Sequence, residues 1–319
     1  MTPTGPDRFF GLYPSTILPM HADFSPDWEA YARHTEACVR QPGIAGVLCN
    51  GHAGENFVIT RAEKRRAVEV TVAAVGATHI VVAGVNQESS LEAAAEAGEA
   101  RAAGADAIMV FLPNAFALAQ DEEMAERHHR MIADAVPGLP IFLFQPSVFA
   151  GRMAFTPAVL QRLLAIGAVV GIKEGGWEVN RYDALRRQVR AQRPDVAVLA
   201  SGDEHLLACY AHGSDGSMVS LADIIPAEIV ALDAAVRRSD LSAARAIHAR
   251  VEPLAEAIYG APPGGRATVR IKFCLAELGR IPGAHVRPPV GPVREDEARQ
   301  LRAALAAAGL GSGMEIAAS

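Results

Sequence analysis

Short runs of β-branched and apolar residues alternate with longer segments rich in alanine, leucine, arginine and glutamate over most of this 319-residue chain. Such alternation is typical of repeated βα units, whose parallel strands are covered by helices on both faces. Eight units can be distinguished. Their predicted strands lie at Gly11–Leu18, Ala45–Asn50, His79–Ala83, Ala107–Phe111, Pro140–Phe144, Val169–Lys173, Ala197–Ser201 and Gly216–Ser220.

Eight consecutive βα units predict a closed (β/α)8 barrel, an α/β fold in which catalytic groups project from the C-terminal ends of the strands. An open doubly wound sheet is the alternative, but no GxGxxG segment follows the first predicted strand. The strand pattern stops near residue 238, and three helical segments follow at Leu241–Ile258, Ala267–Leu278 and Glu295–Ala308. The chain is therefore predicted to comprise a barrel, residues 8–238, and a C-terminal helical extension, residues 239–319.

The helices between the strands have recognisable start signals. Ser25, Thr60, Ser89 and Thr156 each precede a helical segment, and their side-chain oxygens are suited to accept a hydrogen bond from a first-turn N–H group. The predicted helices are Trp28–Arg40, Arg61–Val75, Leu91–Ala103, Glu122–Ala135, Pro157–Ala165, Arg181–Gln192, Glu204–Ala211 and Pro226–Arg237.

Composition excludes several classes of protein. The chain is 50% hydrophobic and 21% charged, and it has no uncharged apolar run of about 18 residues and no signal-peptide profile at its start. A cytoplasmic protein without a membrane segment is expected. The net charge is −6 with no basic stripe, so small molecules are expected as partners rather than nucleic acid. The four cysteines lack CxxC or Cys/His ligand spacing, so neither a disulfide framework nor a zinc site is predicted, and no Asp/His cluster indicates a catalytic metal.

The sixth strand contains a lysine in a position that can carry chemistry. Side chains alternate along a strand, so Gly171 and Lys173 share one face and Glu174 lies on the other. If Gly171 faces the crowded lumen, so does Lys173. Burial disfavours an ammonium ion and raises the fraction of neutral amine that can attack a carbonyl carbon. The alternative is a solvated lysine at the end of a strand.

The second strand leads into the turn Gly51-His-Ala-Gly-Glu55. Its two glycines permit close approach of the backbone to a ligand or a positive φ, and successive N–H groups in such a turn can hold a carboxylate. His52 is suited to exchange protons near neutral pH, although a hydrogen-bonded loop histidine is the alternative. Glu55 is expected to be structural, accepting backbone N–H groups.

Three further strand ends supply groups to the predicted barrel mouth. The seventh ends in Ser201-Gly-Asp-Glu204 and the eighth in Gly216-Ser-Met-Val-Ser220, which offer small residues and backbone groups. The alternative is that these residues only form turns between strand and helix, with Asp203 capping the following helix. The fifth strand ends at Phe144 and Gln145.

Taken together, these segments resemble the dihydrodipicolinate synthase and N-acetylneuraminate lyase family. The motifs that carry the resemblance are Gly51-His-Ala-Gly-Glu55, Val170-Gly-Ile-Lys-Glu174, Ser201-Gly-Asp203, Gly213-Ser-Asp-Gly216 and Arg287-Pro-Pro289. The resemblance spans roughly residues 8 to 310. It implies a lyase that binds a 2-oxo acid such as pyruvate as a Schiff base on Lys173, without a cofactor, and a homo-oligomer, either a dimer or a tetramer.

Departures from the family pattern are as informative as the matches. A proton-relaying tyrosine of the family corresponds to Phe144, which has no hydroxyl group. The threonines of the synthases' turn correspond to His52 and Ala53, the arginine for their second substrate to Phe149, and the tyrosine exchanged between subunits to about Ala115. The resemblance therefore argues against a true dihydrodipicolinate synthase and leaves an aldolase or a keto-acid dehydratase or deaminase. A non-catalytic keto-acid binder is the competing interpretation.

On this basis, Lys173 is predicted to form the imine, and His52, or a water placed by Gln145, to move the proton. Specificity is expected to depend on side chains such as Phe116, Phe149, Trp177 and Tyr259, and Leu112–Ala117 is a possible subunit contact. The predicted substrate-binding residues are Gly51, Ala53, Gly54, Phe144, Ser201, Gly202, Met218 and Ser220.

Overall fold

A computed structural model describes residues 8–176, 178–260 and 264–311. Its parallel strands form one eight-stranded sheet in the order β1-β8-β7-β6-β5-β4-β3-β2, and parallel bridges Leu12–Ile44 and Ser15–Leu48 join β1 to the β2 side. The predicted (β/α)8 barrel is therefore confirmed. The strands are β1 Gly11–Pro14, β2 Gly46–Cys49, β3 Ile80–Val85, β4 Ala107–Val110, β5 Ile141–Gln145, β6 Val169–Glu174, β7 Ala197–Ala200 and β8 Gly216–Val219.

Helices cover the outside of the sheet, and further helices follow the eighth unit. The barrel helices are α1 Trp28–Val39, α2 Arg61–Val75, α3 Ser90–Ala102, α4 Phe116–Ala119, α5 Glu122–Ala135, α6 Pro157–Leu164, α7 Val179–Gln192, α8 Leu206–Ala211 and α9 Pro226–Arg237. After them come α10 Leu241–Ala255, a π-helical turn Glu256–Gly260, α11 Ala267–Glu277 and α12 Glu295–Ala307. None of the described helices is long and apolar enough to span a bilayer.

Most of the predicted helix starts are confirmed, and one is wrong. Thr60 closes a capping box with Glu63, and the Thr156 hydroxyl accepts the Val159 N–H at 3.2 Å. Helix α1 is capped by Asp27, whose carboxylate accepts the Ala30 N–H at 2.9 Å. Ser25, the predicted cap, lies two residues earlier and instead donates to Asp23 at 2.6 Å. The residue directly before the first helical turn has the shorter reach to its N–H groups.

The barrel lumen is filled by a layer of apolar side chains contributed by alternate residues of the strands. Gly171 belongs to this face: a Cβ atom built there would lie 2.2 Å from Cε1 of Phe142. No side chain larger than hydrogen fits against that ring, so only glycine can occupy position 171 of β6. The apolar lumen residues are Tyr13, Leu48, Ile80, Val82, Ala107, Met109, Phe111, Phe142, Ala197, Leu199 and Met218.

Candidate active site at the barrel mouth

Lys173 is the last lumen-facing residue of β6. The strand register pairs it with Phe144 of β5, and its Nζ donates to Ser15 Oγ at 3.3 Å. Burial disfavours the ammonium form and lowers the pKa of Lys173 to about 8, although the negative charges of Asp203 and Asp223 oppose the shift. This pKa leaves a useful fraction of neutral amine at physiological pH.

Lys173 differs from the only other lysines in the chain, Lys64 and Lys272. Both of those are buried in ion pairs: Lys64 lies 3.1 Å from Glu96, and Lys272 contacts Glu55. Within the described residues, Lys173 has no carboxylate at ion-pair distance. Among the three lysines, Lys173 is therefore the one whose Nζ forms no ion pair with a described residue.

The turn after β2 folds on itself and leaves two backbone donors free. The N–H groups of Gly54 and Asn56 both donate to the Gly51 carbonyl oxygen, at 3.0 and 3.4 Å. The N–H groups of His52 and Ala53 have no acceptor among residues 8–176, 178–260 and 264–311. Adjacent unpaired N–H groups of this kind are suited to a carboxylate oxygen.

The glycines of this turn serve close packing rather than unusual backbone angles. A Cβ atom on Gly54 would lie 3.2 Å from the Thr16 carbonyl oxygen. Positive φ angles occur instead at Asn50, with 52°, and at Glu55, with 59°. Neither glycine of the turn therefore has a positive φ, and the close approach of this backbone to a ligand stays a prediction.

Glu55 fixes the turn to the C-terminal extension. Its carboxylate accepts the Arg287 N–H at 2.9 Å and contacts Lys272, whose Nζ also donates to the His285 carbonyl oxygen at 2.8 Å. The structural role predicted for Glu55 is confirmed, although the N–H group comes from the extension rather than from the turn itself.

The His52 ring lies in a cluster of aromatic rings. Its centroid is 4.5 Å from Phe57 and 4.4 Å from Phe111, with the rings tilted by 31° and 33°, and 5.1 Å from Phe144 in an edge-on arrangement. Crowding by these rings and the nearby Lys173 cation lower the pKa of His52. The His52 side chain is nevertheless exposed to solvent, so it borders the pocket while remaining accessible, and its role as proton carrier stays a prediction.

Gln145 does not reach the lumen. It pairs with Glu174 in the register of β5 and β6, whereas Phe144 pairs with Lys173, so Gln145 lies on the outward face. Its Oε1 accepts the Phe155 N–H at 3.0 Å. The prediction that Gln145 places a water at the imine is not supported, because its side chain holds the following loop instead.

The other predicted binding residues are buried to different extents. Met218 is fully buried in the lumen, and Ser201 and Gly202 are buried directly after β7. Ser220 follows β8 and is half-buried. Phe116 is 1% exposed and packs edge-on against His128, with ring centroids 5.6 Å apart. Trp177 and the side chain of Phe149 lie outside the described part of the chain.

A cluster of three polar residues, Ser220, Tyr259 and Asp203, which the sequence did not predict, lies near the lysine. The Tyr259 hydroxyl lies 2.6 Å from Ser220 Oγ, and it interacts electrostatically with the buried Asp203 carboxylate. Asp203 accepts the Leu221 N–H at 2.8 Å as well. Burial raises the pKa of Asp203 to about 7, despite the opposing effects of Leu221, Lys173 and Tyr259. A proximity of Tyr259 to Ser220 could not be read from local patterns, because Tyr259 comes from the extension.

One cluster of metal-binding residue types occurs among the described residues. His34 Nε2 lies 3.3 Å from Asp223 Oδ2, and Cys38 Sγ lies 3.8 Å from Asp223 Oδ1. The same carboxylate accepts the Ile17 N–H at 2.9 Å. These contacts satisfy Asp223 as a hydrogen-bonded network between α1 and the end of β8.

Comparison with known proteins places this geometry in context. A relative from Gluconacetobacter diazotrophicus, named 4-hydroxy-tetrahydrodipicolinate synthase, is 29% identical over 95% of this chain and 98% of its own length. Another from Streptomyces coelicolor, named 4-hydroxy-tetrahydrodipicolinate synthase 1, is 32% identical over 78% of this chain and 77% of its own.

The fold is shared with solved structures. YagE, a prophage protein of E. coli K12 solved in complex with pyruvate, superposes with a TM-score of 0.86 at 24% identity, covering 95% of this chain and 99% of that one. The model of the Dihydrodipicolinate synthetase family matches residues 8–308, nearly the whole length. The chain belongs to the dihydrodipicolinate synthetase family.

Proposed function

We propose that this protein is a lyase that forms a Schiff base between Lys173 and a 2-oxo acid such as pyruvate. The observation that carries the proposal is the state of Lys173: it lies in the lumen, donates only to Ser15 Oγ among the described residues, and has a pKa lowered to about 8. An amine in this state can attack a ketone carbonyl at neutral pH.

The turn after β2 supplies the carboxylate site in this proposal. The free N–H groups of His52 and Ala53 bind the carboxylate of the 2-oxo acid, while its carbonyl carbon points towards Lys173. The structural neighbour YagE was solved with pyruvate, which supports a small 2-oxo acid as ligand. Gly54 keeps the turn compact against Thr16.

The reaction that follows imine formation is proposed to differ from that of the named relatives. Phe144, in the position of the family's relay tyrosine, offers no hydroxyl, and its ring packs 4.8 Å from Phe111. The wall formed by Phe57, Phe111, Phe144 and His52 is apolar. We therefore favour aldol cleavage, or loss of water or ammonia from a keto acid, over synthesis of 4-hydroxy-tetrahydrodipicolinate.

A keto-acid-binding barrel without turnover is the second candidate, and Phe144 is the observation that favours it. Imine formation alone would fit both candidates. Repeated turnover of any 2-oxo acid would support the lyase and exclude the binder.

A homo-oligomer, a dimer or a tetramer, is also proposed. Phe57, in the turn after β2, and Leu118, in α4, are 63% and 82% exposed. Of the segment Leu112–Ala117, Leu112 and Phe116 pack on their own barrel, so Leu118 is the better marker of a contact. Light scattering tests this, and a monomer at micromolar concentration would contradict it.

Reductive trapping tests the imine. The protein is incubated with pyruvate and cyanoborohydride, and intact mass and peptide mapping follow. We expect one adduct per chain at Lys173 and none in Lys173→Arg, because arginine keeps its proton. A label at Lys64 or Lys272, or no label with any 2-oxo acid tried, would contradict the proposal.

A further inference from the structure

We propose that Ser220, Tyr259 and Asp203 form the proton relay that acts on the imine, in place of a hydroxyl at Phe144. This inference rests on the proposed function, since it needs an imine on Lys173. Its strongest support is the Tyr259 hydroxyl, which lies 2.6 Å from Ser220 Oγ and interacts electrostatically with the buried Asp203 carboxylate, whose N–H donor is Leu221, the residue after Ser220.

The chemistry of the three groups fixes the direction of the relay. An ionised carboxylate can only accept, so in the relay Tyr259 donates its proton to Asp203. The Tyr259 oxygen then accepts from the Ser220 hydroxyl. The resulting chain runs from Ser220 through Tyr259 to Asp203 and is polarised to carry a proton towards the carboxylate.

The positions of the three residues suit this task. Asp203 and Tyr259 are only 6% and 8% exposed, whereas Ser220 is half-buried at the end of β8. Ser220 directly follows Val219, the last residue of β8, so it lies at the same C-terminal edge of the strands as Lys173 of β6. The Tyr259 side chain comes from a π-helical turn, a local irregularity that often accompanies functional sites.

The relay removes a proton from C3 of the bound imine. The C3–H bond electrons form the C2=C3 bond of the enamine, and the C=N π electrons neutralise the iminium nitrogen. The proton passes to Ser220 Oγ while the Ser220 proton moves to Tyr259 and the Tyr259 proton moves to Asp203. The reverse sequence returns a proton to C3. Aldol cleavage and dehydration both need this exchange, so the relay serves either reaction.

Asp203 is suited to end such a chain because its pKa is raised to about 7 by burial, with a further contribution from Glu204. Its other charged neighbour is Lys173, which favours the ionised carboxylate. General acid–base catalysis is most effective when the catalytic pKa lies near the working pH.

Exchange of the pyruvate methyl protons with deuterium tests the relay without knowledge of the natural substrate. Pyruvate in D₂O is followed by NMR, and the imine is measured separately by trapping with cyanoborohydride. We expect Tyr259→Phe to form the adduct at the wild-type level but to exchange about 10²–10⁴-fold more slowly. Ser220→Ala tests the same chain if Tyr259→Phe folds poorly.

Tyr210→Phe is the matched control. The Tyr210 hydroxyl is also buried, but its partner is Ser217 Oγ, at 2.8 Å, rather than Ser220. We expect its exchange rate to match that of the wild type. Divided by the amount of trapped adduct, which corrects for the titration of Lys173, the wild-type exchange rate should rise with pH around 7, and that rise should disappear in Asp203→Asn.

The outcomes separate the two proposals. An adduct with wild-type exchange in both Tyr259→Phe and Ser220→Ala would overturn the relay and leave the imine standing. An adduct without exchange in the wild type would also overturn the relay. Failure of the wild type to form any adduct would overturn the proposed function, and the relay with it.

Discussion

The pH dependence of imine formation offers a quantitative test of the environment of Lys173. With a pKa of about 8, roughly a tenth of Lys173 is neutral at pH 7, compared with about 0.04% for an ordinary lysine. The rate of attack on a carbonyl carbon depends on the neutral amine. At pH 7, Lys173 should therefore react about 200-fold faster than it would with an unshifted pKa.

The assay is the initial rate of trapping of the pyruvate adduct by cyanoborohydride between pH 6 and pH 10. We expect the rate to rise about tenfold per pH unit at the acid end and to level off just above pH 8. An ordinary lysine would continue to rise up to pH 10. A rate with no plateau below pH 10 would refute the reasoning.

Asp203→Asn tests the direction in which the charge of Asp203 shifts the pKa of Lys173. The Asp203 carboxylate favours the ammonium form of Lys173, so its removal should move the midpoint to lower pH. The amide can still accept the Leu221 N–H, which keeps the local hydrogen bond. A midpoint that moved to higher pH would show that Asp203 acts on Lys173 in some other way than by its charge.

Three further changes probe the framework. Burial raises the pKa of Glu174 to about 7, so its ionised form destabilises the fold at pH values above the unfolded-state pKa. In urea unfolding at pH 8, Glu174→Gln should therefore increase the free energy of unfolding by about 3 kcal/mol, and at pH 4 it should give no such increase. Glu55→Gln should cost about 3–5 kcal/mol in urea unfolding because it leaves the buried Lys272 cation unpaired, and an unchanged midpoint would contradict the ion pair. Gly171→Ala should lower the melting temperature and cost about 1–3 kcal/mol by overpacking against Phe142, whereas Gly98→Ala, with no atom near its Cβ, should not.

The barrel was predictable because each strand is a short apolar run and each helix a longer periodic one, and these signals are local. Strand bounds at β4, β6 and β7 agree with the prediction to within one residue. The same alternation that placed Lys173 in the lumen and Glu174 outside it also requires Phe144 and Gln145 to face opposite ways. The prediction that both Phe144 and Gln145 lie at the mouth ignores this alternation, and for that reason it is wrong for Gln145.

The rest of the site depends on contacts that local patterns do not encode. Tyr259 lies 39 residues beyond Ser220, and only the folding of the extension onto the barrel brings their oxygens together. The turn after β2 depends on Asn50, a residue type that tolerates a positive φ better than most, so its two glycines need not adopt one. Aromatic contacts around His52 likewise come from three different units of the barrel.

The attachment of the extension has a consequence for engineering and for the divergence of such enzymes. Lys272 and Arg287 anchor the turn that is proposed to bind the carboxylate, and Tyr259 reaches the end of β8. The part of the chain beyond the eighth βα unit therefore forms one structural unit with the mouth of the barrel. Chimaeras between relatives that exchange only the eight units, or only the C-terminal helices, would separate these interdependent parts, so altered activity requires exchange of the helices together with the turn after β2 and the end of β8.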